Sequence, residues 1–381
     1  MPGAIHVVGT GTIGEPLIGT LCNFRKIGIL DPETQITFTK ETPVSRDRPK
    51  VKLLQARGAK FAAGREKWDA FKEAGMNPDL SRGQALIDAD VVIDCTPHGN
   101  KLKQEFYLDR VDDTKLFVAQ GSETGFGPRY AGWINDLPIF NRIYTDHEKF
   151  IQVVSCNTHA ITAIVNSIGL WNGTGDPENV VEVRAMVNRR SNDISQTKKY
   201  VPAPQVGGHD DVVYGTHQGR DAALLFRESF GYVFPIFRTS VFKLNTQYMH
   251  STWFEIRVQK SVSRDDVIDI LKANPLIALT EKDITNEVLS AGRDHGPFGR
   301  IFNHIVVPIH KPSEEKAFPL TIFPNPDGTT SVIGFSFTPQ DGNSLLSSSK
   351  IVLIALYPDE YEERANRILT SEDPLFVFKE L

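Results

Sequence analysis

In the first third of the chain, apolar positions fall alternately into short β-rich runs and helix-spaced stripes. Ala4-Ile5-His6-Val7-Val8 is a strand run, Gly9-Thr10-Gly11-Thr12-Ile13-Gly14 follows it, and Ile13, Leu17, Ile18, Leu21 and Phe24 then recur at helical spacing. This predicts strand, turn and helix. Gln35 to Thr39 predicts a second strand, helices are expected near 50–57 and 65–74, and Ala89 to Asp94 reads as a buried strand. A helix over Lys101 to Tyr107 and a strand over Lys115 to Ala119 continue the alternation, which predicts a parallel, doubly wound sheet.

Beyond Cys156 the pattern changes. Val180 to Val187 and Gln247 to Val258 alternate as a sheet with one solvated face would, and Thr330 to Phe337 adds a strand. Ser263-Arg264-Asp265-Asp266 reads as the N-cap of a helix carrying Val267, Ile268, Ile270 and Leu271. Leu345 to Leu356 reads as a helix returning to the first domain, with Ser347-Ser348-Ser349 inside an otherwise apolar run. The expected fold is α/β: an N-terminal Rossmann dinucleotide-binding domain over 1–155, completed by a helical segment at about 340–381, plus an α+β catalytic and oligomerisation domain over 156–339 with a mainly antiparallel or mixed sheet.

The 381 residues, 40% hydrophobic and 23% charged, suffice for two cores. Against 47 Asp and Glu stand 42 Lys and Arg with no dense basic block, which argues against nucleic acid or a membrane surface and for a small-molecule ligand. No run approaches the roughly 20 apolar residues of a membrane span, and no signal-peptide layout precedes the first strand, so a cytoplasmic protein is expected. Three cysteines, Cys22, Cys95 and Cys156, are too few and too widely spaced for a disulfide framework or a cysteine zinc site, and no metal is expected.

The glycine motif gains meaning from its context, since it leaves the first strand and opens the first helix. Gly9, Thr10, Gly11, Thr12, Ile13 and Gly14 would let the backbone approach a pyrophosphate held by helix N-terminal amides. At the end of the second strand, Thr39 and Lys40 can hold a 2′-phosphate, whereas Glu41 can bind ribose hydroxyls and oppose that phosphate. The expected cofactor is NADP or NAD, with a lean toward NADP. Asp31 has the usual spacing from the glycines but lies in a loop before the strand.

Cys22 sits on the apolar face of the first helix and Cys95 at a strand end, where packing explains both. Cys156 differs. It lies between the strand run ending at Val154 and a helix expected to be amphipathic, bearing Ile161, Ile164, Val165, Ile168 and Leu170. Helix N-terminal amides favour a thiolate, so a lowered thiol pKa is expected there.

Ser155-Cys156-Asn157-Thr158 resembles the active-site signature of archaeal-type (type II) glyceraldehyde-3-phosphate dehydrogenase, usually Ser-Cys-Asn-Thr-Thr-Gly. Gly11 to Gly14, Asp94-Cys95-Thr96-Pro97, Gln120-Gly121 with Glu123, Arg189-Arg190, Gly219 with Asp221, and Asp265 to Ile270 are similar to stretches of that family in the same order, from about residue 4 to about residue 345. The resemblance implies thiolate attack on an aldehyde, hydride loss to nicotinamide, and phosphorolysis of the thioester. It implies Cys156 as nucleophile and His250 as catalytic base, with Thr96, Pro97, Gln120, Gly121, Gln340 and Asn343 on the cofactor. Asn157, Thr158, Arg189, Arg190 and His217 fall to the substrate and phosphate, although His217 can equally cap its loop. Neighbouring strand residues face opposite sides, so one of the two arginines should point inward and the other outward.

The chain departs from the signature at His159 and Ala160. His159 can polarise Cys156, contact a phosphate or carboxylate, block part of the phosphate site, or point away along the helix. Three functions stay open: a phosphorylating glyceraldehyde-3-phosphate dehydrogenase using inorganic phosphate, a related dehydrogenase of another phosphorylated or acidic aldehyde, and a nucleotide-binding homologue with reduced catalysis. The resemblance implies a homotetramer.

Overall fold

The computed structural model describes residues 3–193, 196, 198–310, 318–370 and 376–381. The chain divides into two compact units, one formed by Met1–Gly132, Ile139–Val153 and Leu345–Ile368, the other by Trp133–Pro138, Val154–Ser344 and Leu369–Leu381.

In the first unit the strands are β1 (Ala4–Val8), β2 (Gln35–Thr39), β3 (Lys60–Ala63), β4 (Leu80–Ser81), β5 (Val91–Asp94), β6 (Leu116–Gln120), β7 (Arg129–Tyr130) and β8 (Phe150–Val153). All pair in parallel, in the order β4-β3-β2-β1-β5-β6-β8-β7. The order reverses at β1, which lies between β2 and β5, and ligands of such sheets bind at the carboxyl ends of the strands flanking this reversal. The glycine motif leaves β1 at that point and opens the helix Gly14–Lys26. The predicted helix over Lys101 to Tyr107 is a short α-turn, Gly99–Leu102, running into a π-helix, Lys103–Tyr107. The helix Gly342–Leu356 carries its serines inward: Ser347 Oγ accepts from Gly132 N–H (2.9 Å) and Ser348 Oγ from the Gln120 amide (2.5 Å).

The second unit holds β9 (Val180–Arg189), β10 (Gln205–Val206), β11 (Ile236–Lys243), β12 (His250–Val258), β13 (Ile277–Thr280), β14 (Ile305–Pro308), β15 (Thr321–Pro324) and β16 (Thr330–Thr338). Their order is β10-β11-β9-β12-β16-β14-β13 with β15 on β16. The sheet is mixed, because β9 with β11 and β13 with β14 are parallel while β12 pairs antiparallel with β9 and β16. The predicted cap is a full capping box, Ser263 and Asp266 each bonding the other's backbone amide. Residues 376–381 belong to this unit rather than to the first, as Leu279 N–H donates to Lys379 O and Leu381 N–H to Leu279 O. The helix Cys156–Ile164 is buried on every side from Asn157 onward, so the expected amphipathic helix is a core helix.

Gly14 is the tightest element of the nucleotide turn, since a Cβ there would lie 2.1 Å from Gly9 O. Backbone cannot yield as a flexible side chain can. Gly14→Ala should therefore destabilise the protein by about 1–3 kcal/mol; an unchanged thermal unfolding midpoint would contradict this packing.

Candidate active site

At the nucleotide turn Gly9 has φ +96°, a left-handed conformation that favours glycine, and nothing lies within 4 Å of where a Gly11 side chain would begin. The turn is thus tight beneath and open above, as a backbone meeting a pyrophosphate requires. Thr10 is buried and its carbonyl accepts from Lys50 Nζ at 3.1 Å, while Ile13 is the residue before the helix. After β5, Thr96 donates its N–H (2.8 Å) and hydroxyl (2.7 Å) to Asp94 Oδ1, and Tyr107 donates to Oδ2 at 2.9 Å. Burial raises the Asp94 carboxyl against these three donors. Pro97 is exposed, Gln120 is buried at the end of β6, and Gly121 follows with φ +84°.

The residues expected to hold a 2′-phosphate are already engaged. Thr39 Oγ1 bonds His6 Nε2 at 2.8 Å, and Lys40 pairs with Asp47 at 2.5 Å. Glu41 instead lines a cavity of about 320 Å³ with Val8, Arg82, Thr96 and Phe106. Its carboxylate pairs with Lys67 (2.7 Å) and Arg82 (2.8 Å), which hold it below the usual carboxylate range despite partial burial. Arg82 and Lys67 carried no signal that pattern reading could link to Glu41.

In the second unit Ser155 is extended and its Oγ accepts from Thr158 N–H (3.3 Å), so the helix begins at Cys156. The expectation of a lowered thiol pKa is overturned. Burial pushes the Cys156 thiol up, Asp193 and Asp341 add to it, and Arg190 and the Asn157 amide only oppose it. Thr158 Oγ1 meets Ser155 Oγ at 2.9 Å, and Asn157 Oδ1 is buried without a partner among the described residues.

Of the paired arginines, Arg189 is exposed and Arg190 buried, as the strand pleat requires. Arg190 Nη2 donates to Asp193 at 2.5 Å, but Nε and Nη1 are buried without partners among the described residues. Asp341, also buried, pairs with Arg300 at 2.7 Å, and its carboxyl is raised by burial. Sequence reading named neither Asp193 nor Asp341. His250 opens β12, and its Nδ1 accepts from the Arg190 backbone N–H at 2.9 Å. Burial and the two arginines press its pKa well below that of a free histidine.

Three expected ligand contacts face the protein itself. Asn343 donates to the carbonyls of Cys156 (3.2 Å) and His304 (3.3 Å), and Gln340 to that of Tyr248 (2.6 Å), so both steady backbone around the site. The fully buried His159 bonds Ser155 O through Nδ1 at 3.0 Å and meets the His304 ring edge to face at 5.1 Å. It packs inward. His217 starts the helix His217–Phe230 and pairs with Asp210 at 2.6 Å, a loop-capping contact, on a side chain 29% exposed.

Fold and site define a class: an α/β protein with a dinucleotide-type parallel sheet and a mixed-sheet unit that presents a cysteine at a helix start. No family model matches the chain. It is distantly similar to proteins named glyceraldehyde-3-phosphate dehydrogenase: 26% identical to that of Methanocaldococcus jannaschii over 81% of this chain and 84% of the relative. The match is 25% with that of Pyrobaculum islandicum, over 73% and 72%, and 24% with that of Sulfolobus acidocaldarius, over 77% and 78%.

Burial lowers His159 to about 4. The unfolded chain therefore binds a proton that the folded chain refuses; the stability is complete above pH about 6.5 and lost as pH falls toward 4, on the order of 3 kcal/mol. Replacing the imidazole by an amide removes this linkage. His159→Gln should lose less stability than the parent between pH 7 and 4.5 in urea titrations, and an equal loss would contradict the buried neutral ring.

Proposed function

We propose that this chain is a nicotinamide-dependent, phosphorylating glyceraldehyde-3-phosphate dehydrogenase in which Cys156 carries the substrate as a thioester. The observation that carries the reading is Arg190, a guanidinium whose buried Nε and Nη1 have no partner among the described residues and which acts electrostatically on the Cys156 thiol. Such donors suit a phosphate oxygen. The names of the archaeal relatives point the same way.

A nicotinamide dinucleotide fits the first unit through the open Gly11 face above the tight Gly9–Gly14 approach; Gly9 to Gly14, Thr96, Pro97, Gln120 and Gly121 would hold it, and bound there it supplies a two-electron acceptor. Cys156 forms the carbon–sulfur bond, and inorganic phosphate later displaces that sulfur as thiolate. Arg190 binds an anion inside the site, with Arg189 and His217 at its exposed margin. Glu41 favours NAD over NADP, because a fixed carboxylate accepts from ribose hydroxyls and repels a 2′-phosphate. A homotetramer belongs to the same reading.

A second reading, another phosphorylated or acidic aldehyde, draws on Asp193 and Asp341, whose charges bear on the same thiol as Arg190 and weaken its hold on a doubly charged anion. An aldehyde panel with and without phosphate separates the two, and a preference for a different aldehyde would replace the first.

Cys156→Ser should lower turnover by about a thousandfold or more, and retained turnover would remove the covalent mechanism. Arg190→Met should raise the phosphate or substrate KM by about 10–100-fold, and Arg189→Met less. Glu41→Gln should shift the NADP-to-NAD ratio of kcat/KM about tenfold toward NADP; a parent enzyme already preferring NADP would overturn the assignment of Glu41.

A further inference from the structure

Three strand ends of the first unit's sheet converge on one carboxylate. Glu41 lies just beyond β2, Lys67 closes the short 3₁₀ turn Arg65–Lys67 after β3, and Arg82 directly follows β4. Because the sheet runs β4-β3-β2-β1, both cations come from the strands next outward from the one that carries the glycine turn. Lys67 Nζ donates to Glu41 Oε2 at 2.7 Å and to its backbone oxygen at 3.1 Å, and Arg82 Nη1 donates to Oε1 at 2.8 Å. Neither cation pairs with another carboxylate among the described residues. The Arg82 guanidinium also lies over the Phe106 ring, 5.0 Å from its centroid. Ser81 Oγ accepts from Gln84 N–H at 3.1 Å and so fixes the turn on which Arg82 stands.

Each carboxylate oxygen thus takes one cation and keeps a lone pair for a further donor. Glu41 and Arg82 together line the cavity of about 320 Å³, with Val8 at the end of β1 and Thr96 after β5. Lys40, the cation nearest Glu41 in sequence, is held elsewhere, by Asp47 at 2.5 Å.

A carboxylate bridging a guanidinium and an ammonium presents the negative charge and acceptor oxygens that a phosphate would present in the same place. From this geometry, and resting on the dinucleotide reading above, we infer that Lys67 and Arg82 form a site for a cofactor 2′-phosphate, which Glu41 occupies as a built-in substitute. With Glu41 in place the trio carries one net positive charge, and the carboxylate accepts from ribose hydroxyls while excluding the phosphate from its ligands. Without that carboxylate, two adjacent cations lack a counter-charge, and a 2′-phosphate supplies it. The choice between NAD and NADP then rests on Lys67 and Arg82 as well as Glu41, and not on Thr39 and Lys40.

The test is nucleotide binding by the full chain, followed by titration calorimetry without substrate. The parent should bind NAD more tightly than NADP, and 2′,5′-ADP no better than 5′-AMP. Glu41→Gln should bind 2′,5′-ADP at least about tenfold more tightly than the parent, with an affinity that falls as salt is added. Adding Arg82→Met or Lys67→Met to Glu41→Gln should each remove that gain, whereas adding Lys40→Met should keep it. A gain that survives loss of either cation, or that vanishes with Lys40→Met, would overturn the inference. So would a parent that prefers NADP, or a Glu41→Gln protein with no gain. Because 5′-AMP lacks the second phosphate, it should still bind every variant, which separates a lost phosphate contact from a lost fold. If the parent binds none of NAD, NADP and 5′-AMP, the dinucleotide reading fails and the inference with it. If the parent binds NAD and no variant gains 2′,5′-ADP, the inference alone fails.

Discussion

A guanidinium buried without its full set of partners among the described residues is the constraint on which the second unit's chemistry turns. Arg190 is drawn inward because it follows Arg189 at the end of a strand, and the pleat sends neighbours to opposite faces. A buried cation is costly unless opposite charges gather around it. Asp193 answers directly, and Asp341 acts from its own pairing with Arg300. The same charge lowers His250 and opposes the rise of Cys156 and of Asp341, so three groups from separate segments take their protonation states partly from one side chain.

Much of the scaffold was legible because it rests on local pattern. β1 and β2 span the predicted residues, and the cap at Ser263 has the predicted form. A strand run, a glycine turn and a helix stripe contain their own instructions, and so does the alternation that sends Arg189 and Arg190 apart. The lowered thiol pKa was misread for the opposite reason. A helix start favours a thiolate locally, but desolvation depends on everything packed around the site, and here it outweighs the amide. Glu41 with Arg82, and Asp341 with Arg300, are ion pairs about forty residues apart in sequence. No periodicity encodes such pairs.

His159 illustrates how a departure from a signature can be structural. The imidazole fills core space within a helix buried all round and meets a backbone carbonyl, so the ring remains neutral. Burial disfavours the cationic form, and that argues against the role of phosphate ligand that its place beside the nucleophile suggested.

The segment from Gln340 onward follows the same logic. Gln340 holds the carbonyl of Tyr248 just before β12, and Asn343 holds the carbonyl of Cys156. One stretch of chain therefore braces both the cysteine and the strand that begins with the histidine. Farther along, Ser347 and Ser348 bond Gly132 N–H and the Gln120 amide. Small hydroxyl side chains permit close packing of the helix and also satisfy buried donors, which an apolar residue of similar size would leave unpaired at about 1–3 kcal/mol each. The serine run is thus a requirement of the polar strand ends it meets, and its contrast with the surrounding apolar sequence marks a helix face with hydrogen bonds to supply.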